Sequence, residues 1–250
     1  MIDYTKTLSD AKSRLALSCW GEMDATELIK TADLAAREKI PAVSAEPDYV
    51  HMLWSWLEKT KTEIFSRIDG KPKPESRRAK GEDQDAFAAR LSEKISATFK
   101  NGADAVQLMM AKEDIGSFVS ALFPVHNDLF FGRKLFIGLD FNSVDYYDWE
   151  NIFFQMDKIG ASGILLDASR AAEAPRRRPK DQNPDDIVGR LFGLFDSLPT
   201  GFSGKIQFSG LDMAGIEATL RLCDKMRSDI AKNLLFFIGK EFFKGDGQLA

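Results

Sequence analysis

Residues 132–170 read GRKLFIGLDFNSVDYYDWENIFFQMDKIGASGILLDASR. Two short apolar runs, KLFIGLD (134–140) and GILLDAS (163–169), flank one amphipathic segment. The runs lack the strict apolar–polar alternation of a half-exposed strand and suit strands covered on both faces. Between them Ile152, Phe153, Met156 and Ile159 recur at helical spacing, and Gly160 stands where a helix C-cap is expected. The stretch reads as one β-α-β unit. Each strand ends in an acid, Asp140 and Asp167, and strand C-termini are where barrels and open α/β sheets place their ligands.

The same alternation extends in both directions. Strands are expected at 15–20, 41–46, 62–68 and 104–110 before the unit, and at 204–210 and 234–239 after it. Asp24 opens the first helix, with Glu27 as its capping-box partner. A second helix from Asp48 carries Val50, Leu53, Trp54 and Leu57. A third carries Phe87, Leu91 and Ile95 and ends at Asn101-Gly102; another is expected near 114–123. Asn183-Pro184-Asp185-Asp186 is a helix start, with an N-cap, a proline at the first helical position and acids on the positive helix end. Asp212 opens the last helix, with Ile216, Leu220, Cys223 and Met226. Eight strands, each but the last followed by a helix, predict a single (β/α)8 barrel domain over 1–250. Its eighth helix is expected to be incomplete, because only residues 240–250 follow the last strand. A doubly wound open sheet is the competing architecture, and no G-x-G-x-x-G follows any strand to favour it.

Bulk properties narrow the function classes. A net charge of −4 over 250 residues argues against general nucleic-acid binding. No apolar run approaches a membrane span, and MIDYTKTLSDAKSR has no signal-peptide core, so a cytoplasmic protein without membrane attachment is expected. Cys19 and Cys223 sit in apolar patterns and read as buried, inert thiols. With no zinc spacing, His51 and His126 cannot supply a histidine-rich metal site, and no cofactor is expected. A homo-oligomer stays open.

On the expected barrel the strand C-termini bring Ser44, Glu46, Arg67, Asp69, Gln107, Lys112, Asp140, Asn142, Asp167, Ser169, Arg170, Gln207, Ser209 and Lys240 to one rim. Several carboxylates converging there must be protonated, paired or bound to a cation. Arg67, Arg170 and Lys240 can simply pair with them; for Asp140 and Asp167 together a functional task is favoured, since acids in a barrel mouth are costly without one. Two long basic connections, 69–83 and 170–182, follow strands three and six. They are expected to be the most mobile parts of the chain and, if they lie over the rim, to close on an anionic ligand such as a phosphate ester. A narrower phosphate seat is backbone at Ser209-Gly210 and Gly239. Trp54, Trp56, Phe153 and Phe154 read as core.

The order of short motifs resembles the deoxyribose-phosphate aldolase type of class I aldolase barrel. EPDYV (46–50), NGADAVQLM (101–109), GASGILLDAS (160–169) and QFSGLD (207–212) are similar to that family's signatures around strands two, four, six and seven. The resemblance implies a barrel acting on a small phosphorylated carbonyl compound through a Schiff-base lysine. It also implies where that chemistry has gone: the lysine position on strand six is Leu165, its tuning lysine on strand seven is Gln207, and the strand-four aspartate is Gln107. The family's strand-five acid persists as Asp140. SRIDGKPKPES (66–76) and ILLDAS (164–169) slightly resemble the furan-phosphate synthase barrels, whose strand-end lysine is again absent at Gln107.

Three functions follow. In the first, an aldolase-like enzyme uses Lys240 as a displaced amine and Asp140 or Asp167 as acid/base. Arg67, Gln107, Arg170, Gln207, Ser209, Gly210 and Gly239 then hold a phosphorylated substrate. In the second, the barrel has lost its chemistry and binds a metabolite or a partner. In the third, Glu46, Asp140 and Asp167 hold magnesium.

Overall fold

The computed structural model describes residues 11–21, 23–70, 84–116, 118, 132–169 and 184–243. Eight parallel strands close on themselves in sequence order: β1 (Leu15–Cys19), β2 (Ala42–Ala45), β3 (Glu63–Asp69), β4 (Ala105–Met109), β5 (Lys134–Asp140), β6 (Gly163–Asp167), β7 (Lys205–Ser209) and β8 (Leu234–Ile238). β8 pairs with β1 through Leu15 opposite Phe236 and Leu17 opposite Ile238, which removes both sheet edges. The described helices are α1 (Ala25–Glu38), α2 (Val50–Leu57), α3 (Gln84–Lys100), α4 (Trp149–Lys158), α5 (Pro184–Ser197) and α6 (Met213–Met226). The chain is a (β/α)8 barrel, as its alternating pattern predicts.

Strand alternation divides the core in two. Leu135, Ile137 and Leu139 of β5, with Ile164 and Leu166 of β6, face outward into the layer beneath the helices. Phe136, Leu165, Phe65, Phe237 and Met109 face inward with Ala16, Ala42 and Ala105. Phe65 packs on Phe136 at 5.4 Å and on Phe237 at 5.6 Å between ring centres, so the interior is filled rather than open. At the end where the strands begin, Lys134 Nζ reaches Glu63 Oε1 at 2.5 Å and Lys205 Nζ reaches Glu63 Oε2 at 3.4 Å. Lys134 and Lys205 thus lie opposite the mouth, as strand direction requires.

Caps set several helix starts. Asp24 accepts the Glu27 N–H at 2.7 Å and Asp212 accepts the Gly215 N–H at 2.8 Å. The Glu27 carboxylate does not complete the expected capping box; it turns to Lys240 instead, at 2.5 Å. The turn Pro47–Tyr49 is a 3-10 helix, and α2 begins only at Val50. After β4 a 3-10 turn, Lys112–Asp114, leads into Ile115 and Gly116; of the rest of the helix expected to 123 only Phe118, which is buried, is among the described residues. Residues 71–83, residues 170–183 with Arg170 and the N-cap Asn183, and the tail 244–250 lie outside them.

Three expected core aromatics are on the surface: Trp54 is 42% exposed, Trp56 50% and Phe154 57%. α2 is short and buries Val50, Leu53 and Leu57, which leaves Trp54 at the edge, stacked on His51, and Trp56 outside. On α4 Phe153 is buried, whereas Phe154 carries Lys158 Nζ 4.2 Å above its ring. Cys19 and Cys223 are free and buried, and burial pushes both thiols up to about 11.

Two substitutions test the packing. A Cβ on Gly163, whose φ is +152°, would lie 1.9 Å from the Lys205 carbonyl oxygen, and backbone there cannot yield. Gly163→Ala is expected to cost about 3 kcal/mol in denaturant unfolding. Ser66, buried on β3, has no partner for its hydroxyl among the described residues. Ser66→Ala is expected to raise stability by about 1 kcal/mol in the same measurement.

Candidate functional site

The strand C-termini surround a cavity of about 500 Å³ whose lining includes Trp20, Glu46, Arg67, Asp69, Met109, Asp140, Asp167 and Ser169. Period-two alternation puts Arg67 and Asp69 of β3 on the inner face with Phe65, and Asp140 and Asp167 at the inner ends of β5 and β6. Asp140 and Asp167 lie opposite each other in the β5–β6 register. The barrel therefore brings both acids and Arg67 into one mouth.

Asp167 is 2% exposed and is fully engaged. Its Oδ2 accepts from Arg67 Nη2 at 2.6 Å, and its Oδ1 accepts from the Ser169 N–H at 3.0 Å, the Ser169 hydroxyl at 2.6 Å and the Ser209 hydroxyl at 3.1 Å. Burial alone would raise its pKa, but Arg67 and the Ser169 donors outweigh burial and hold it below the ordinary value. A carboxylate with four donors on two oxygens has little capacity to accept a proton or bind a cation. Asp167 thus serves as the anchor of Arg67 rather than as the expected acid/base. Trp20 completes the clamp: the guanidinium carbon of Arg67 lies 4.3 Å from its ring centre.

Glu46 is in the opposite state. Burial raises its pKa, Arg67 and Lys94 only partly counter this, and the net direction is upward. It was legible as a strand-end acid and a magnesium candidate; its acid–base character comes from desolvation that no sequence pattern shows. Asp140 accepts the Asn142 N–H at 3.0 Å, which caps the following 3-10 turn, and it still lines the cavity.

Below the mouth runs a chain of neutral hydrogen bonds. Trp20 Nε1–H donates to Ser44 Oγ at 2.9 Å, Ser44 to Gln107 Oε1 at 2.5 Å, and Gln107 Nε2 to Gln207 Oε1 at 2.6 Å. Gln107 and Gln207 are fully buried, beneath the cavity and not on its wall. Leu165, opposite Gln207 in the β6–β7 register, is also buried inside the barrel.

Other expected site residues are placed elsewhere. Lys240 is 46% exposed with its Nζ 2.5 Å from Glu27 Oε1, and that hydrogen bond raises its pKa. A Schiff-base amine needs the opposite shift and a position in the mouth, so the expected role of Lys240 is corrected. Ser209 is buried with its hydroxyl on Asp167. Gly210 has φ +72°, and a Cβ there would come within 2.3 Å of the Ser169 nitrogen, so the two chain segments pack backbone to backbone at this point. Gly239 has an ordinary extended backbone, φ −76° and ψ 162°, and leads into the 3-10 turn Lys240–Phe242. Among the described residues no group of three or more His, Cys, Asp or Glu is placed to hold a metal ion, and no helix is long and apolar enough to cross a membrane.

No protein-family model matches the sequence, and no curated protein matches it. Solved structures do resemble it in shape. An apo-form protein from Toxoplasma gondii ME49, described as a deoxyribose-phosphate aldolase, superposes with a TM-score of 0.67 over 96% of this chain and 93% of that one, at 13% identity. A protein from Coccidioides immitis with the same description gives 0.60 over 94% and 83%, at 12% identity. The tetrameric deoxyribose phosphate aldolase of Aeropyrum pernix gives 0.59 over 87% and 86%, at 15% identity. At these identities the likeness is one of fold: the chain shares the (β/α)8 barrel with these structures.

The two acids respond to pH with opposite sign. Asp167, lowered on folding, contributes stability that is complete above its ordinary value of 3.8 and is lost as pH falls through its folded value. Glu46, raised on folding, contributes stability that is lost as pH rises from 4.5 through its folded value. Urea midpoints measured from pH 3 to about pH 7 are expected to show a shallower acid decline in Asp167→Asn. Glu46→Gln is expected to show a steeper rise from pH 4.5 upward.

Proposed function

We propose that the chain is an enzyme of the aldolase barrel type. It makes or breaks a carbon–carbon bond in a small phosphorylated carbonyl compound, using an arginine and a carboxylate in place of a Schiff-base lysine. The observation that carries this reading is the clamped Arg67 beside Glu46 in the mouth. Asp167 at 2.6 Å and the Trp20 ring at 4.3 Å fix the guanidinium, and Glu46 shares its field.

In the cleavage direction the ionised Glu46 takes the proton of the hydroxyl on the carbon beyond the carbonyl's neighbour. The carbon–carbon bond breaks, its electron pair passes to the carbonyl oxygen, and an aldehyde is released. The enolate left behind carries its charge on that oxygen, against Arg67, a preorganised cation that need not reorganise as charge develops. Glu46 then returns its proton to the enolate carbon. A carboxyl with a raised pKa suits both halves of that exchange. Phosphate is assigned to the basic segments rather than to Ser209, since the Ser209 hydroxyl is already given to Asp167. Those segments follow Gly70 and Ser169, and they contain Lys71, Lys73, Arg77, Arg78, Lys80, Arg170, Arg176, Arg177, Arg178 and Lys180.

A second reading, a barrel that binds a metabolite without turning it over, draws on the uncharged Leu165, Gln107 and Gln207 at the positions where the aldolase pattern has charge. One experiment separates the two. Dihydroxyacetone phosphate and glyceraldehyde 3-phosphate are incubated with the protein in deuterated water, and exchange of the protons beside the carbonyl is followed by NMR. Exchange is expected, falling about 100-fold in Glu46→Gln and lost in Arg67→Met, while borohydride leaves every lysine unmodified. A borohydride adduct on a lysine would restore Schiff-base chemistry. Thermal stabilisation by these compounds without exchange would establish the binding barrel.

A further inference from the structure

We propose that the side-chain amide nitrogen of Gln207 is a ligand-recognition donor that donates its N–H, at the floor of the mouth, to an uncharged oxygen such as that of a ketone or aldehyde. The inference rests on the mouth being the ligand site, as above, and on the direction of the buried hydrogen-bond chain.

That direction is not free. An indole N–H can only donate. Trp20 therefore obliges Ser44 to accept, so the Ser44 proton points onward to Gln107 Oε1. Gln107 Nε2 must then face Gln207 Oε1, which leaves Gln207 Nε2 as the last donor. Turning the Gln207 amide over would set two NH2 groups against each other, so the terminal donor cannot be relieved by a flip. Gln207 is fully buried, and among the described residues its Nε2 has no acceptor. A buried donor left without an acceptor is costly, and every other link of the chain is satisfied.

The way to that donor runs past a compliant side chain. Met109 lines the cavity, is 8% exposed, and stands two residues above Gln107 on the inner face of β4. Its thioether fills the space beside Gly138, where a Cβ would come within 2.2 Å of the sulfur. Methionine is unbranched and repacks readily, so a small ligand can displace it toward the mouth. The surroundings at that depth are Leu165, Phe136 and Phe65, which admit a neutral oxygen and penalise a phosphate or a carboxylate. The carbonyl end of a ligand therefore goes down and its charged end stays at the rim.

Binding is measured by calorimetry with two probes, dihydroxyacetone phosphate and 3-hydroxypropyl phosphate, which lacks the ketone oxygen. Wild-type protein is expected to prefer the first by about ten-fold. Gln207→Met is expected to abolish that preference while leaving affinity for 3-hydroxypropyl phosphate unchanged, and Met109→Leu is expected to retain the preference. Gln207→Leu, which also removes the donor, serves as the second variant should Gln207→Met fold poorly, and it too is expected to lose the preference. Equal affinity for both probes in the wild type, or a preference that survives at position 207 in a folded variant, overturns the proposal. Because the readout is binding, a preference without any turnover would sink the catalytic reading and leave this one standing.

Discussion

Closure of eight parallel strands is the constraint on which everything else depends. A closed sheet has one interior, and strand alternation decides which side chains must share it. Residues at odd steps along β5 pack under the helices; those at even steps meet Phe65, Met109 and Leu165 inside. Because all strands run the same way, the same alternation that hides Phe136 also delivers Asp140 to the rim. Core and site are therefore consecutive turns of one pleat, and a one-residue slip in any strand would exchange its buried apolar side chains for its polar ones.

The mouth shows how a charged site can be built without lysines at the strand ends. Arg67 is held by a buried anion on one side and an indole face on the other, and Asp167 is itself saturated by two serines. An anchored guanidinium keeps its charge and geometry at any physiological pH. The cost of burying that ion pair is offset by three further hydrogen bonds to the Asp167 Oδ1, the kind of support under which a buried pair is tolerated. Glu46 is moved the other way: burial raises its pKa, and the field of Arg67 only partly counters it.

Most of the fold was legible because the signals are periodic. All eight strands fall where the apolar runs place them, and Asp24 and Asp212 cap their helices as residue type suggests. The readings that failed turn on direction or partner rather than pattern. Lys240 follows a strand on the correct face, yet a long side chain has many rotamers, and Glu27 lies within its reach. Trp54 and Phe154 obey helical spacing, but spacing does not say how wide a face a short helix can bury. The close packing of Gly210 on Ser169, where a Cβ would not fit, is a contact between strand ends that residue type alone does not announce. Trp20 drew no notice as the last residue of its run, although its indole organises both Arg67 and the buried amides.

The ion cluster of Glu63, Lys134 and Lys205 at the far end, with the aromatic packing of Phe65, Phe136 and Phe237 above it, has a kinetic meaning. A barrel stoppered at one end is a cul-de-sac. Whatever enters does so by the rim and leaves by the same route, so two fragments inside at once depart in the reverse order of their depth. Under the proposed cleavage, the fragment nearer the stopper would wait for its companion, and the architecture would set the sequence of release before any side chain at the rim contributes to it.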